Sequence, residues 1–143
     1  MRSLTSRHIA HAMLAVSFIG FLDAAYLTAA HYLRFSPPCA ILNGCDTVTT
    51  SAYAEILGIP VALMGALYYA VIFLALIVYL ESDHALILKI TSYFTVAGLL
   101  ASIWFVSVQV FILGALCLYC LVSAVTSTLL FLFGAKLLYS RMV

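Results

Sequence analysis

The chain has 143 residues, of which 66% are hydrophobic and 8% charged, with a formal net charge of +1. A soluble domain carries about 25% charged residues, so this composition cannot cover a water-facing surface and places the chain in a bilayer. No basic stripe is available to neutralise phosphates, which excludes a nucleic-acid partner.

Four apolar stretches reach the roughly 20 helical residues that cross a hydrocarbon core, at about 9–33, 56–80, 86–111 and 115–138. The first follows Arg2 and Arg7 but runs for roughly 25 residues, against about 7–15 for the core of a signal peptide, and is therefore a helix of the mature protein. Asp23 lies near its middle, where a charge costs at least ~2.5–3.5 kcal/mol on insertion scales. A hydrogen-bonded structural carboxyl is the plainer reading of Asp23, and a proton path the functional one. His31 sits near the outer end of this helix, with interfacial packing as its default role.

An outer loop, about 34–55, follows the first helix. Pro37 and Pro38 cannot continue a helix. Asn43 and Gly44 are turn formers that let Cys39 and Cys45 approach each other. Residues 51–57 are expected to form a short surface helix, with Tyr53, Ile56 and Leu57 toward the membrane. Asp46 and Glu55 are expected as solvated loop charges. Gly58 and Pro60 then set the entry to the second helix, whose Gly65 and Ala66 allow close packing. Gly98, Ala101 and Ser102 do the same on the third helix. Gln109, near its outer end, is expected in interfacial packing. Tyr68, Tyr69, Trp104 and Tyr119 are candidates to line a pocket for a ring. The links near 81–85 and 112–114 are short enough to force antiparallel neighbours. The expected fold is all-α: a polytopic membrane protein, one domain over 1–143, built as a four-helix bundle with an outer loop that carries a short surface helix.

Arg2, Arg7, Lys89, Lys136 and Arg141 fall at one end of the bundle and Arg34 alone at the other. The positive-inside rule then puts both termini in the cytoplasm of a plasma-membrane protein. All four cysteines face outward, where disulfides persist. The stretch GALCLYCLVSA, residues 114–124, opens the fourth helix with Cys117 and Cys120 in a C-x-x-C pair. Residues three apart share a helix face, and a helix N-terminus favours a thiolate.

Three plainer readings compete. Two apolar-packing cysteines leave four outward thiols unexplained. A four-cysteine zinc site normally uses two tight knuckles, whereas five residues separate Cys39 from Cys45, so no metal is expected. A structural loop disulfide in a membrane scaffold accounts for Cys39 and Cys45 only. A relay accounts for all four: the loop pair meets a soluble thiol protein, then exchanges disulfides with the second pair by thiolate attack on sulfur. The electron pair needs an acceptor, and no flavin, haem or nicotinamide motif is present. A lipid-soluble quinone, menaquinone or ubiquinone, fits, reaching Cys120 one turn deeper than Cys117, with Gln109 and His31 close to its expected headgroup.

These residues resemble the vitamin K epoxide reductase family along nearly the whole chain. The resemblance rests on FIGFLDAAYLTAAHY in the first helix, on Cys39, Cys45 and Ser51, on GIPVALMGALYY, and on CLYC. The order, with the wide cysteine pair first and C-x-x-C second, reverses that of DsbB-like thiol oxidases. The resemblance implies that Cys39 forms the mixed disulfide with the outside partner and that Cys45 passes the exchange to Cys117. It implies that Cys120 reduces the quinone and that Ser51 steadies the loop or touches the ring. Many bacterial members carry a fused thioredoxin-like domain. With the sequence ending at Val143, a separate thioredoxin-fold (DsbA-like) partner is expected. Vertebrate members place an asparagine where this chain has Val61, and a tyrosine where it has Ala124. Those differences favour quinone reduction coupled to disulfide formation over reduction of vitamin K or its epoxide, which is the alternative activity.

Overall fold

The computed structural model describes residues 2–35, 37–39 and 44–142. Helix α1 covers Arg2–Leu33, a short α2 covers Cys45–Thr49, and a single 3-10 turn covers Ala52–Ala54. Strands β1 (Glu55–Ile56) and β2 (Ile59–Pro60) pair antiparallel. Helices α3 (Val61–Ser82), α4 (Ala85–Ser107) and α5 (Leu118–Met142) complete the chain, and a π-helical segment, Val108–Leu113, extends α4. Four segments, Leu4–Leu33, Val61–Ser82, Ala85–Leu113 and Leu118–Arg141, are long and apolar enough to cross a membrane. The protein is an integral membrane four-helix bundle.

Each helix stops for a local reason. At the end of α1, Arg34 takes a left-handed conformation (φ 56°) and the Phe35 amide bonds back to the Ala30 carbonyl at 3.1 Å. That is the geometry in which a left-handed residue closes the last turn, so the helix ends before Pro37 and Pro38 come into play. Asp83 (φ 54°) closes α3 in a related way, its amide on the Tyr79 carbonyl at 2.7 Å. Gly114 (φ 60°) ends the π-helical segment, at a φ that glycine adopts without strain.

The start of the second spanning helix differs from expectation. Residues 56–60 are not its first turn but part of a two-residue β-hairpin. Leu57 and Gly58 both have positive φ, as the tight turns that match strand twist require. The expected surface helix over 51–57 is likewise replaced: its helical part lies earlier, at Cys45–Thr49 and Ala52–Ala54. Three β-region or left-handed residues, Glu55, Leu57 and Gly58, break it. Tyr53, Ile56 and Leu57 are exposed, Leu57 at 97%. Asn43, expected in the turn before Cys45, lies outside the described residues.

Helix α1 packs on α3 and α5, and α4 on α5 and α3, so the four helices form a closed square. Its core holds Met13, Tyr69, Ile72, Leu76, Tyr79, Leu130 and Leu137. Two glycines make room for tyrosines: a Cβ at Gly20 would enter the Tyr69 ring, and one at Gly98 would meet the end of Tyr68. Gly65 faces the Ala24 methyl at ordinary contact distance. The Tyr69 hydroxyl meets the Ser123 carbonyl and hydroxyl (2.8 and 3.0 Å), Thr126 Oγ1 (2.7 Å) and Ser127 Oγ (2.9 Å) on α5. It ties α3 to the helix that follows the C-x-x-C pair. At the opposite end of the bundle Arg141 donates to the Tyr79 hydroxyl at 2.8 Å, and Arg7 to the Leu80 carbonyl at 3.3 Å.

Candidate redox site

The four cysteines lie at one end of the bundle, on two chain segments that touch. Cys39 and Cys45 are joined by a disulfide, with Cα atoms 6.1 Å apart. Cys117 and Cys120 carry free thiols. Gly44 presses directly on the main chain of Leu116, where a Cβ would collide with backbone atoms. The residues that immediately precede Cys45 and Cys117 are therefore in contact. A second tie crosses the same junction: the Tyr119 hydroxyl, inside C-x-x-C, donates to the Pro38 carbonyl at 2.9 Å, next to Cys39.

Helix α5 begins at Leu118, so Cys117 is its capping residue and does not lie inside its first turn as expected. Its carbonyl accepts the Leu121 amide at 3.0 Å. Its sulfur receives the backbone amides of Tyr119 and Cys120, which is how a side chain satisfies the orphan donors of a helix start. A hydrogen bond from the Cys120 thiol adds to these and is the largest influence. Against the opposing effect of burial, the Cys117 thiol is drawn down from its ordinary 9.0 to about 7. Such a group is a ready nucleophile and leaving group near neutral pH.

Solvent access differs among the four cysteines, partly open at the first and last and closed at the middle two. Cys39 is half-buried, Cys45 is 1% exposed, Cys117 is fully buried, and Cys120 is half-buried. Cys120 also lines a cavity of about 1080 Å³, which is large by the standard of ligand pockets. The cavity runs between the halves of α1, α3, α4 and α5 at the cysteine end of the bundle, under the loop, and its wall is mostly apolar. Asp23, Ser51, Tyr68, Tyr69 and Gln109 are among its lining residues.

Asp23 stands about ten residues, roughly 15 Å of helix, from the end of α1 at Leu33. One carboxylate oxygen is buried with no hydrogen-bond partner among the described residues, and the group is near enough to Cys117 and Cys120 for direct charge interaction. The Ser51 hydroxyl donates to the Val48 carbonyl at 2.8 Å, so it steadies the turn after α2 while bordering the cavity.

Other expectations divide. Tyr68 and Tyr69 line the cavity, but Trp104 faces outward at 57% exposure and Tyr119 is engaged with Pro38 and the Tyr26 ring. Glu55 is not merely solvated: its Oε1 lies 2.8 Å from His31 Nε2, tying the hairpin to the end of α1. Gln109 is not an interfacial residue. It is buried, and its Oε1 accepts the Cys117 amide at 2.9 Å. Its main-chain carbonyl also accepts amides from Gly114 and Ala115. The sequence signal for this role is a lone carboxamide in an apolar helix, eight residues before the first cysteine of C-x-x-C.

A family model described as Vitamin K epoxide reductase family matches residues 11–135, most of the 143-residue chain. No match to the chain is found among curated proteins.

Proposed function

We propose, from the premise that the chain belongs to the vitamin K epoxide reductase family, that this membrane oxidoreductase moves electron pairs from a thioredoxin-fold protein to a lipid quinone. The result would be disulfide formation in exported proteins. The observation that carries the proposal is the pattern of access along the sulfurs. The two end cysteines, Cys39 and Cys120, have access to a medium, and the two middle ones, Cys45 and Cys117, are closed off.

The sequence of exchanges follows from that pattern. A thiolate of the reduced partner attacks Cys39 of the Cys39–Cys45 disulfide and releases Cys45 as thiolate. The partner's second thiol then resolves the mixed disulfide, so the partner leaves oxidised and the loop pair is reduced. Cys45 attacks the sulfur of Cys117 in an oxidised Cys117–Cys120 pair, and Cys120 leaves as thiolate. Cys39 closes back on Cys45, releasing Cys117. The reduced Cys117–Cys120 pair returns to a disulfide by giving two electrons to the quinone, which takes up two protons and becomes the hydroquinone. Each sulfur step is a thiolate displacement on a disulfide. The short path from Gly44 to Leu116 supports the middle exchange, and the lowered Cys117 thiol makes it a good leaving group.

In this reading the whole chain is one membrane domain, with both termini cytoplasmic and the cysteines outward. Ser51 holds the loop over the ring, and Asp23, with its unpartnered oxygen, handles protons between the thiols and the cavity. Val61 and Ala124 both line the cavity. Its wall therefore lacks the asparagine and tyrosine of the vertebrate members at those positions, which supports quinone over epoxide as substrate. The deciding test is purified protein in detergent with a reduced thioredoxin-fold partner and menaquinone, ubiquinone or vitamin K epoxide. Quinone bleaching in one-to-one proportion with partner disulfide is expected. Consumption of the epoxide alone would overturn the assignment.

A further inference from the structure

The proposal that follows rests on the quinone reading and deepens it. The Gln109 side chain is 2% exposed, and it belongs both to the wall of the cavity and to the support of Cys117. A carboxamide offers one oxygen that accepts and one NH2 group that donates. The oxygen is committed to the Cys117 amide at 2.9 Å. Because the amide group is rigid, holding its oxygen confines its nitrogen to the space around that oxygen. The donor is thus kept close to the backbone of the redox pair.

The neighbouring wall is apolar, with Phe105, Val106, Val108 and Leu113. A flat ring bearing carbonyl oxygens satisfies both sides of such a site: its faces against the hydrocarbon wall, one oxygen on a buried donor. A purely hydrocarbon guest offers an NH2 group no acceptor, whereas a ring carbonyl does. The π-helical segment carries Gln109, and local π turns often place side chains at functional sites.

We propose that Gln109 is a quinone-binding residue whose nitrogen donates to a ring carbonyl while its oxygen holds Cys117 in place. The same planar group would then set where the ring sits relative to Cys120, which lines the same cavity.

Two variants test this, with a small dithiol as donor and a soluble short-chain ubiquinone analogue as acceptor. Gln109→Leu removes both bonds, and loss of one neutral hydrogen bond to the ring should raise the quinone KM roughly threefold to tenfold. The KM for the dithiol should change by a smaller factor than the KM for the quinone. Gln109→Glu keeps an acceptor for the Cys117 amide but donates only while protonated. Its quinone KM should climb with pH, whereas that of the unaltered protein should stay flat over the same range. If Gln109→Leu does not fold, the pH profile of Gln109→Glu decides alone. A quinone KM that is native in value in Gln109→Leu, or flat with pH in Gln109→Glu, would overturn the proposal. An unaltered protein that reduces no quinone would overturn instead the reading on which it rests.

Discussion

Removing the Cys120 sulfur should return the Cys117 thiol toward ordinary acidity. In a Cys39→Ser/Cys45→Ser background only the C-x-x-C pair remains, so thiolate absorbance reports on it alone. With the Cys120 hydrogen bond in place, Cys117 titrates near about 7 and is roughly half thiolate at neutral pH. At its ordinary 9.0 only about 1% would be thiolate, since each pH unit is tenfold. Loss of every stabilising contact would therefore lower the thiolate fraction about fifty-fold. Cys120→Ala removes the largest contact but leaves the Tyr119 and residue-120 amides, so a fall on the order of tenfold is expected. The sign is fixed: the thiolate is the favoured form, so thiolate-dependent exchange rises with pH through about 7 and levels off above it. In Cys120→Ala that rise moves to alkaline pH. Ultraviolet titration of both proteins in detergent, with alkylation rates as a second readout, measures the shift. A midpoint that stays near 7 after the substitution would show that the helix N-terminus alone sets the acidity, and the reasoning from the paired thiol would be wrong.

Gly44→Ala should force the loop off the Leu116 backbone, because its Cβ meets main-chain atoms that have no rotamer to yield. Exchange between the two cysteine pairs, followed by acid quench and mass-resolved alkylation, should slow by on the order of ten- to a hundred-fold, while a small dithiol should still drive quinone reduction through Cys117 and Cys120. Tyr69→Phe leaves Ser123, Thr126 and Ser127 without their shared partner and should cost about 1–3 kcal/mol in reversible unfolding in detergent.

The spanning helices were legible because bilayer thickness dictates a long apolar run, and nothing else in a chain this size produces four of them. The Cys39–Cys45 disulfide was legible because turn-forming residues separate two cysteines close in sequence. The region before α3 was not. Leu57 and Gly58 at positive φ decide for a hairpin, and Leu57 is an unusual residue for that conformation, so nothing in EILGIP announced it. Glu55 looked solvated because its partner His31 lies across the loop, and the contact exists only once the hairpin folds back. Gln109 could be placed near the end of its helix from its position in the sequence. Its bond to Cys117 depends on the π-helical segment and on the tight reversal at Gly114, and neither has a local sequence signature. Trp104 was expected inward on the strength of aromatic character alone, which in a bilayer carries no directional information, since lipid accepts a ring as readily as a protein core does.

The nearest approach at the junction between Gly44 and Leu116 is made by peptide units. Mutational sensitivity there is expected to be lopsided. A change of the Leu116 side chain leaves those nearest atoms the same in kind, because they belong to the main chain. At position 44 a single added methyl group is enough to part them. A deep substitution scan of this region should therefore show broad tolerance at 116 beside near-intolerance at 44.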